Sequence, residues 1–194
     1  MKLSVTYQGS YSRGELLLRS FFGFIYIMLP HAFLMMFFQI WSSIITFISF
    51  WVVLFTGKYP ESFFEFNVGM LRWGLRVNAR MWNLSDGYPS FGVDGTDEFT
   101  SLEIAYPESI SRGLLLARMF FGLIYVIIPH AFILSFRILW GSILMFIAWW
   151  MVLFTGRYPQ NWHEFHVGTL RWSTRINLYM GFMTDEYPRF SGKE

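Results

Sequence analysis

Two histidines and a family of arginines are the side chains whose type and spacing could do chemistry in this sequence. His31 and His130 each follow a proline, Pro30 or Pro129, inside a long run almost free of charge. A buried imidazole there could ligate a haem iron or hold a pigment or metal. It could equally satisfy the backbone carbonyl that the preceding proline leaves without a donor. Arg72, Arg76 and Arg80 recur at every fourth position; Arg171 and Arg175 repeat the first two, with Tyr179 in the third place. A guanidinium fork suits bidentate contact with a phosphate or carboxylate. The same groups could instead anchor the chain to anionic lipid or pair with Glu65, Glu164, Asp86 and Asp185. Arg19 and Arg118 lie one turn inside the apolar runs and are expected to snorkel toward the interface and its anionic head groups.

Other chemistry finds little support. Cysteine is absent, which removes disulfides, thiolate metal sites and cysteine nucleophiles. His163 and His166 have no counterparts in the other half of the chain, where Phe64 and Asn67 stand, and no metal motif accompanies them. There is no Gly-rich phosphate loop, serine nucleophile elbow or zinc-protease helix, so no catalytic residue is assigned and the chain is expected not to be an enzyme. A net charge of +2 gives no case for nucleic acid.

The elements that must position these residues come in duplicate. An offset of 99 residues aligns the two halves without a gap, placing Ser12-Arg13-Gly14 on Ser111-Arg112-Gly113 and Pro30-His31-Ala32-Phe33 on Pro129-His130-Ala131-Phe132. Residues 1–91 form a first repeat, 92–101 a polar, turn-rich linker and 102–194 a second repeat. Each opens with a short alternating run, Leu3 to Tyr7 or Leu102 to Tyr106, read as a strand; the two strands are expected to pair outside a bilayer.

Composition then sets the solvent. Hydrophobic residues make up 54% and charged residues 14%, against about a quarter charged in a soluble domain. Between Arg19 and Lys58 no Asp, Glu, Lys or Arg occurs, and Arg137 alone interrupts the equivalent run from Arg118 to Arg157. At 1.5 Å per residue each run is long enough for two crossings of a hydrocarbon core about 30 Å thick. We therefore expect an all-α membrane protein with four transmembrane helices as two hairpins, at about 14–56 and 113–155. The hairpin turn is expected near Gln39 to Ser43 and Arg137 to Ser142, with a turn at Pro30-His31 and Pro129-His130 as the alternative. The outer ends of both hairpins carry most of the basic residues, which places the N- and C-termini in the cytoplasm. The initial residues lack a signal-peptide pattern, so insertion is expected to rely on the internal apolar segments.

After Gly57 and Pro60, and again after Gly156 and Pro159, a helical period begins. It covers about 61–83 and 160–182, with Phe66, Met70, Trp73, Val77 and Met81 on one stripe and the arginines on another. Such helices suit a cytoplasmic membrane surface.

The string Val53-Leu54-Phe55-Thr56-Gly57-Lys58-Tyr59-Pro60, followed by Val68-Gly69 and Leu71-Arg72-Trp73, resembles an uncharacterised bacterial integral-membrane domain family. The second copy carries the same signature at Phe154-Thr155-Gly156-Arg157-Tyr158-Pro159, Val167-Gly168, Leu170-Arg171-Trp172 and Asp185-Glu186-Tyr187-Pro188-Arg189-Phe190; the first copy has Gly87 where the second has Glu186. The resemblance covers nearly the whole chain. It implies a bacterial multi-pass protein, often with this domain in tandem, whose role is not established. The leading expectation is a non-enzymatic scaffold or accessory subunit in the bacterial inner membrane. Its partners would be anionic lipids and other membrane subunits or further copies of itself. A small transporter or lipid-handling protein is the rival, with a histidine-ligated haem or pigment protein behind it.

Overall fold

A computed structural model describes residues 1–194. Strand β1 spans Lys2–Val5, helix α1 Arg13–Thr56, helix α2 Glu61–Met81, strand β2 Thr100–Glu103, helix α3 Arg112–Thr155 and helix α4 Gln160–Met180. The fold is mostly helical, and each repeat is a helical hairpin.

The arms of that hairpin differ from the expected ones. The apolar run does not reverse at Gln39 to Ser43, at Arg137 to Ser142 or at either Pro-His step; it continues as one 44-residue helix, about 66 Å long. The serines near the middle do not break it. Ser43 and Ser142 return their hydroxyls to the carbonyls four residues back, Gln39 and Ile138, which a helix accommodates. Arg137 does not reach out to water on a far side either. It turns toward α4, where its Nε donates to the Thr169 hydroxyl at 2.8 Å and its head lies over the Phe165 ring. The chain reverses only after Thr56 and Thr155. There Gly57 (φ 75°) and Gly156 (φ 72°) adopt the left-handed conformation that ends a helix, and Pro60 and Pro159 open the next. The second arm, α2 or α4, then runs back along the first. The molecule thus has two helices long and apolar enough to cross a membrane, where four were expected.

Each long helix meets the rest of the protein through one stripe. In α1 the inward positions are Leu16, Arg19, Gly23, Ile27, His31, Met35, Phe38, Ser42, Ile45, Ser49 and Val53; in α3 the same positions plus 99 face inward. Several successive steps of four residues would carry an α-helical stripe around the axis. A π turn at Phe24–Met28, and at Leu123–Ile127, has a wider circuit and keeps the stripe in line. Beside it, the amide missing at Pro30 leaves the Tyr26 carbonyl without its helical partner. The Tyr88 hydroxyl donates to that carbonyl at 2.9 Å, and Tyr187 does the same for Tyr125 beside Pro129. This role falls to the tyrosines, not to the histidines.

The repeats are interlocked. β1 and β2 pair antiparallel with Leu3 opposite Leu102, as the duplication led us to expect. Each strand lies on the other repeat's short helix: the Arg72 Nε donates to the Leu102 carbonyl at 3.0 Å and the Arg171 Nε to the Leu3 carbonyl at 2.9 Å. The start of each long helix packs on the end of the other. There the Ile110 N–H donates to the Gly57 carbonyl and the Tyr11 N–H to the Gly156 carbonyl, both at 2.8 Å. Arg13 and Arg112 donate to the free carbonyls of Phe154 and Phe55. The core draws on both copies, with Leu3, Leu75, Leu84 and Leu102 against Ala148, Val152, Val167 and Leu170.

Two glycines of α2 give opposite expectations. A Cβ on Gly69 would stand 2.7 Å from the Val93 Cβ and 3.0 Å from its carbonyl oxygen, whereas one on Gly74 would meet only the end of Met35 at 3.9 Å. Thermal unfolding of the purified protein should show Gly69→Ala destabilised by about 1–3 kcal/mol. Gly74→Ala should be neutral or more stable by about 0.5–1 kcal/mol, the helix-interior difference between the two residues.

Candidate functional site: the arginine and histidine clusters

Arg19 and Arg118 turn inward rather than snorkelling, because each finds a complete set of acceptors inside the fold. The Arg118 Nε donates to the Leu114 carbonyl, its Nη1 to the carbonyls of Tyr179 and Thr184, and its Nη2 to Asp185 at 2.6 Å. Arg19 donates to Asn83, Glu15 and Asp86 at 2.9–3.0 Å. Asp86 and Asp185 also accept from the backbone N–H of Ser12 and Ser111, the residues that cap the two long helices. Each aspartate of the Asp-x-Tyr-Pro signature therefore ties the start of its repeat to its end. Charge-assisted contacts of this kind are the stronger hydrogen bonds.

The arginines of the short helices clamp backbone in the same way. Arg76 holds the 90–95 segment through the carbonyls of Ser90, Gly92 and Gly95, and Arg175 holds the tail through those of Ser191 and Lys193. Arg171 adds the Gly192 carbonyl and carboxylates of Glu164 and Glu194 at 3.9 and 3.5 Å. Arg80, the third arginine of the fourfold spacing, is among the most enclosed of the group. It is 2% exposed and grips Asp97 with both Nη atoms. The linker is thereby a bound part of the first repeat. Burial raises the Asp97 pKa, but hydrogen bonds from Arg80 and Thr100 and the Arg80 charge outweigh it and leave the carboxyl below its ordinary range. The anion-binding candidates Arg72, Arg76, Arg171, Arg175, Arg19 and Arg118 thus form six internal contacts sites, each with donors committed to this chain's own oxygens.

His31 and His130 are fully buried, each on the inward stripe of its long helix. The Trp73 and Trp172 indoles of the Leu-Arg-Trp signature donate to their Nδ1 atoms at 2.8 Å. That bond fixes the neutral tautomer with hydrogen on Nε2. One ring face is stacked on Phe91 or Phe190 at 3.9 Å, and Tyr88 or Tyr187 closes the edge. A haem iron needs an unprotonated imidazole nitrogen along its axis; here Nδ1 accepts from the indole, Nε2 carries the proton without a partner of its own, and one ring face is covered by a phenyl ring. No group of three or more metal-ligating side chains gathers anywhere in the chain.

Among the departures between the copies, one changes a buried polar network. In the first repeat Asn67 links Ser42, Thr46 and the Tyr59 hydroxyl. The second repeat has His166, Gly141, Met145 and Tyr158 at those positions, so the larger ring occupies the space that the glycine opens; a Cβ there would be 3.1 Å from His166. The Tyr158 hydroxyl and His166 Nε2 are left without partners. Beside them His163 faces the Leu84 carbonyl at 3.2 Å. Burial, with His163 and Arg137 nearby, pushes the His166 pKa down to about 4. Burial also lowers that of His163, against the opposing pull of Leu84 and Glu164.

These depressed values mean that the unfolded chain takes up protons which the folded chain refuses. The stabilisation is complete above about pH 6.5 and is lost as the pH falls from there toward 4. For His166 the loss is on the order of 3 kcal/mol. Unfolding measured across pH 7.5 to 4 should show this slope. Installing the first repeat's residues, His163→Phe with His166→Asn, should make that slope shallower whatever the change in absolute stability.

No curated protein and no solved structure matches the chain. Its signature residues are nonetheless those of a recognised domain, described as a domain of unknown function (DUF4389), which matches residues 16–92 and again residues 117–192. The Asp-x-Tyr-Pro, Leu-Arg-Trp and Gly-[Lys/Arg]-Tyr-Pro elements that join each repeat's arms fall within or beside those two stretches, and the chain belongs to the DUF4389 family as a tandem pair.

Proposed function

We propose that this protein is a non-enzymatic scaffold or accessory subunit of a larger complex in a bacterial cytoplasmic membrane. The observation that carries the reading is the contrast between its two surfaces. Away from their inward stripe the long helices expose Phe21, Phe24, Phe33, Phe47, Phe55 and their counterparts at 60–73%. Only 17% and 22% of their most apolar windows are buried, whereas the core helix of a soluble protein would be mostly enclosed. Apolar area on this scale marks contact with lipid or with partner helices. Most of the polar machinery, by contrast, is engaged within the chain: guanidinium groups hold carbonyls and carboxylates, and the His31 and His130 rings accept from buried indoles.

Rigid internal bracing of this kind suits a part that presents a fixed surface to others. The aromatic outer faces are offered to lipid and to the helices of other subunits. Exposed Arg13, Lys58, Arg112 and Arg157 at the helix ends contact anionic head groups on the cytosolic side, where basic flanks are favoured. Extraction of the tagged protein from its native membranes into lipid nanodiscs, followed by mass spectrometry, tests this. The expected result is one or more other membrane proteins at fixed stoichiometry; recovery of the chain alone, or only with copies of itself, would remove the accessory-subunit reading.

A further inference from the structure

We infer that the two long helices lie flat in one leaflet of the bilayer and do not cross it, so that the protein rides on a lipid surface with its short helices and strands on the water side. This rests on the reading that the outer faces meet lipid, and it names how they do so.

Three features carry it. The first is length: exposed apolar residues run from Leu17 to Phe55 and from Leu114 to Phe154, about 57–60 Å of helix. A hydrocarbon core is about 30 Å thick, so one crossing would need a tilt near 60°, outside the usual 0–40° range. The chain has no turn that would fold the run into two crossings.

The second is where the charges sit along the helix. His31 and His130 lie near the middle of the apolar stretches, and the short helices pass them at Trp73 and Trp172. Next to Trp172, Arg171 draws in Glu164 and Glu194, whose side chains are 61% and 70% exposed. In the first repeat Arg76, one turn beyond Trp73, holds the segment that carries exposed Asp94. An upright long helix would place these exposed carboxylates at the depth of the bilayer centre, where charge is costly. A flat one leaves them in water, because the short helix and its loops cover the stripe and the apolar remainder faces away.

The third is the rim. Exposed Arg13 and Arg157 stand where the first long helix begins and the second ends; Lys58 and Arg112 stand at the opposite junction. In a flat placement all four reach the head groups of the same leaflet, as the basic residues of interfacial helices do.

The chain has no cysteine, so single-cysteine variants report position directly. Gly9→Cys, Lys58→Cys and Asp94→Cys occupy exposed polar sites at the two ends of α1 and over its middle; Gln39→Cys lies within the apolar run. Right-side-out and inverted vesicles from expressing cells would be treated with a membrane-impermeant maleimide after a carbonate wash. The three polar sites should label from one and the same side, and Gln39→Cys should not label from the opposite side. Labelling of Gly9→Cys and Lys58→Cys from opposite sides would establish a single crossing, and labelling of Gln39→Cys from the far side a re-entrant hairpin; either overturns the flat placement while leaving lipid contact intact. Loss of the protein from the membranes in the carbonate wash would instead sink the lipid reading on which the placement rests.

Discussion

The structure depends on one geometric constraint: a 44-residue apolar helix that touches the rest of the protein along a single stripe. A stripe this narrow can be held only if its few inward positions make specific contacts. They do so through Arg19 or Arg118 near one end, an imidazole and a small or aromatic residue in the middle, and valine or alanine near the other end. The π turn belongs to the same constraint, since without its wider circuit the stripe would wander around the helix. Pro30 and Pro129 lie at its edge, and the carbonyl each leaves free is taken by the tyrosine of the Tyr-Pro pair.

Duplication supplies what one copy lacks. A lone repeat would have a short helix with no strand across its arginine and a long helix whose last carbonyls face no donor. In the tandem pair each strand lies on the other repeat's helix, and each long helix receives the arginine that starts the other. At one buried place the copies differ in concert: the first has Asn67 with Ser42 and Thr46, the second His166 with Gly141 and Met145, a hydrogen-bonded network in one and packed volume in the other.

Much of this was legible from the residues. The offset of the repeat, the strands that open each half, the helix ends at Gly57 and Pro60 and the period of the short helices all follow from local chemistry. The long helices were misread because Gln39, Ser42, Ser43 and Arg137 look like a turn when only polarity is considered. Ser43 bonds its own helix, while Ser42 and Arg137 face the short helices. Which side of a helix a polar residue faces is settled by packing, which polarity alone does not encode. The arginines were read both as anion sites and as partners of acidic residues; the pairs with Asp86, Asp185 and Glu164 are present, but most of the other acceptors are backbone carbonyls, which no sequence displays. The partner of Arg80 was hidden because Asp97 lies in a segment that reads as a polar linker.

The account stands or falls on the outward faces of the long helices lying in hydrocarbon while the short helices stay out of it. Lipids carrying a photoreactive group on the acyl chain, activated in membranes that contain the full chain and mapped by mass spectrometry, address this most directly. Adducts should appear at outward positions such as Phe21, Phe37 and Phe47 and at Phe120, Phe136 and Phe146, and should spare Phe64, Leu84 and Leu102. Adducts spread equally over residues 61–81, or absent from the long helices, would contradict it.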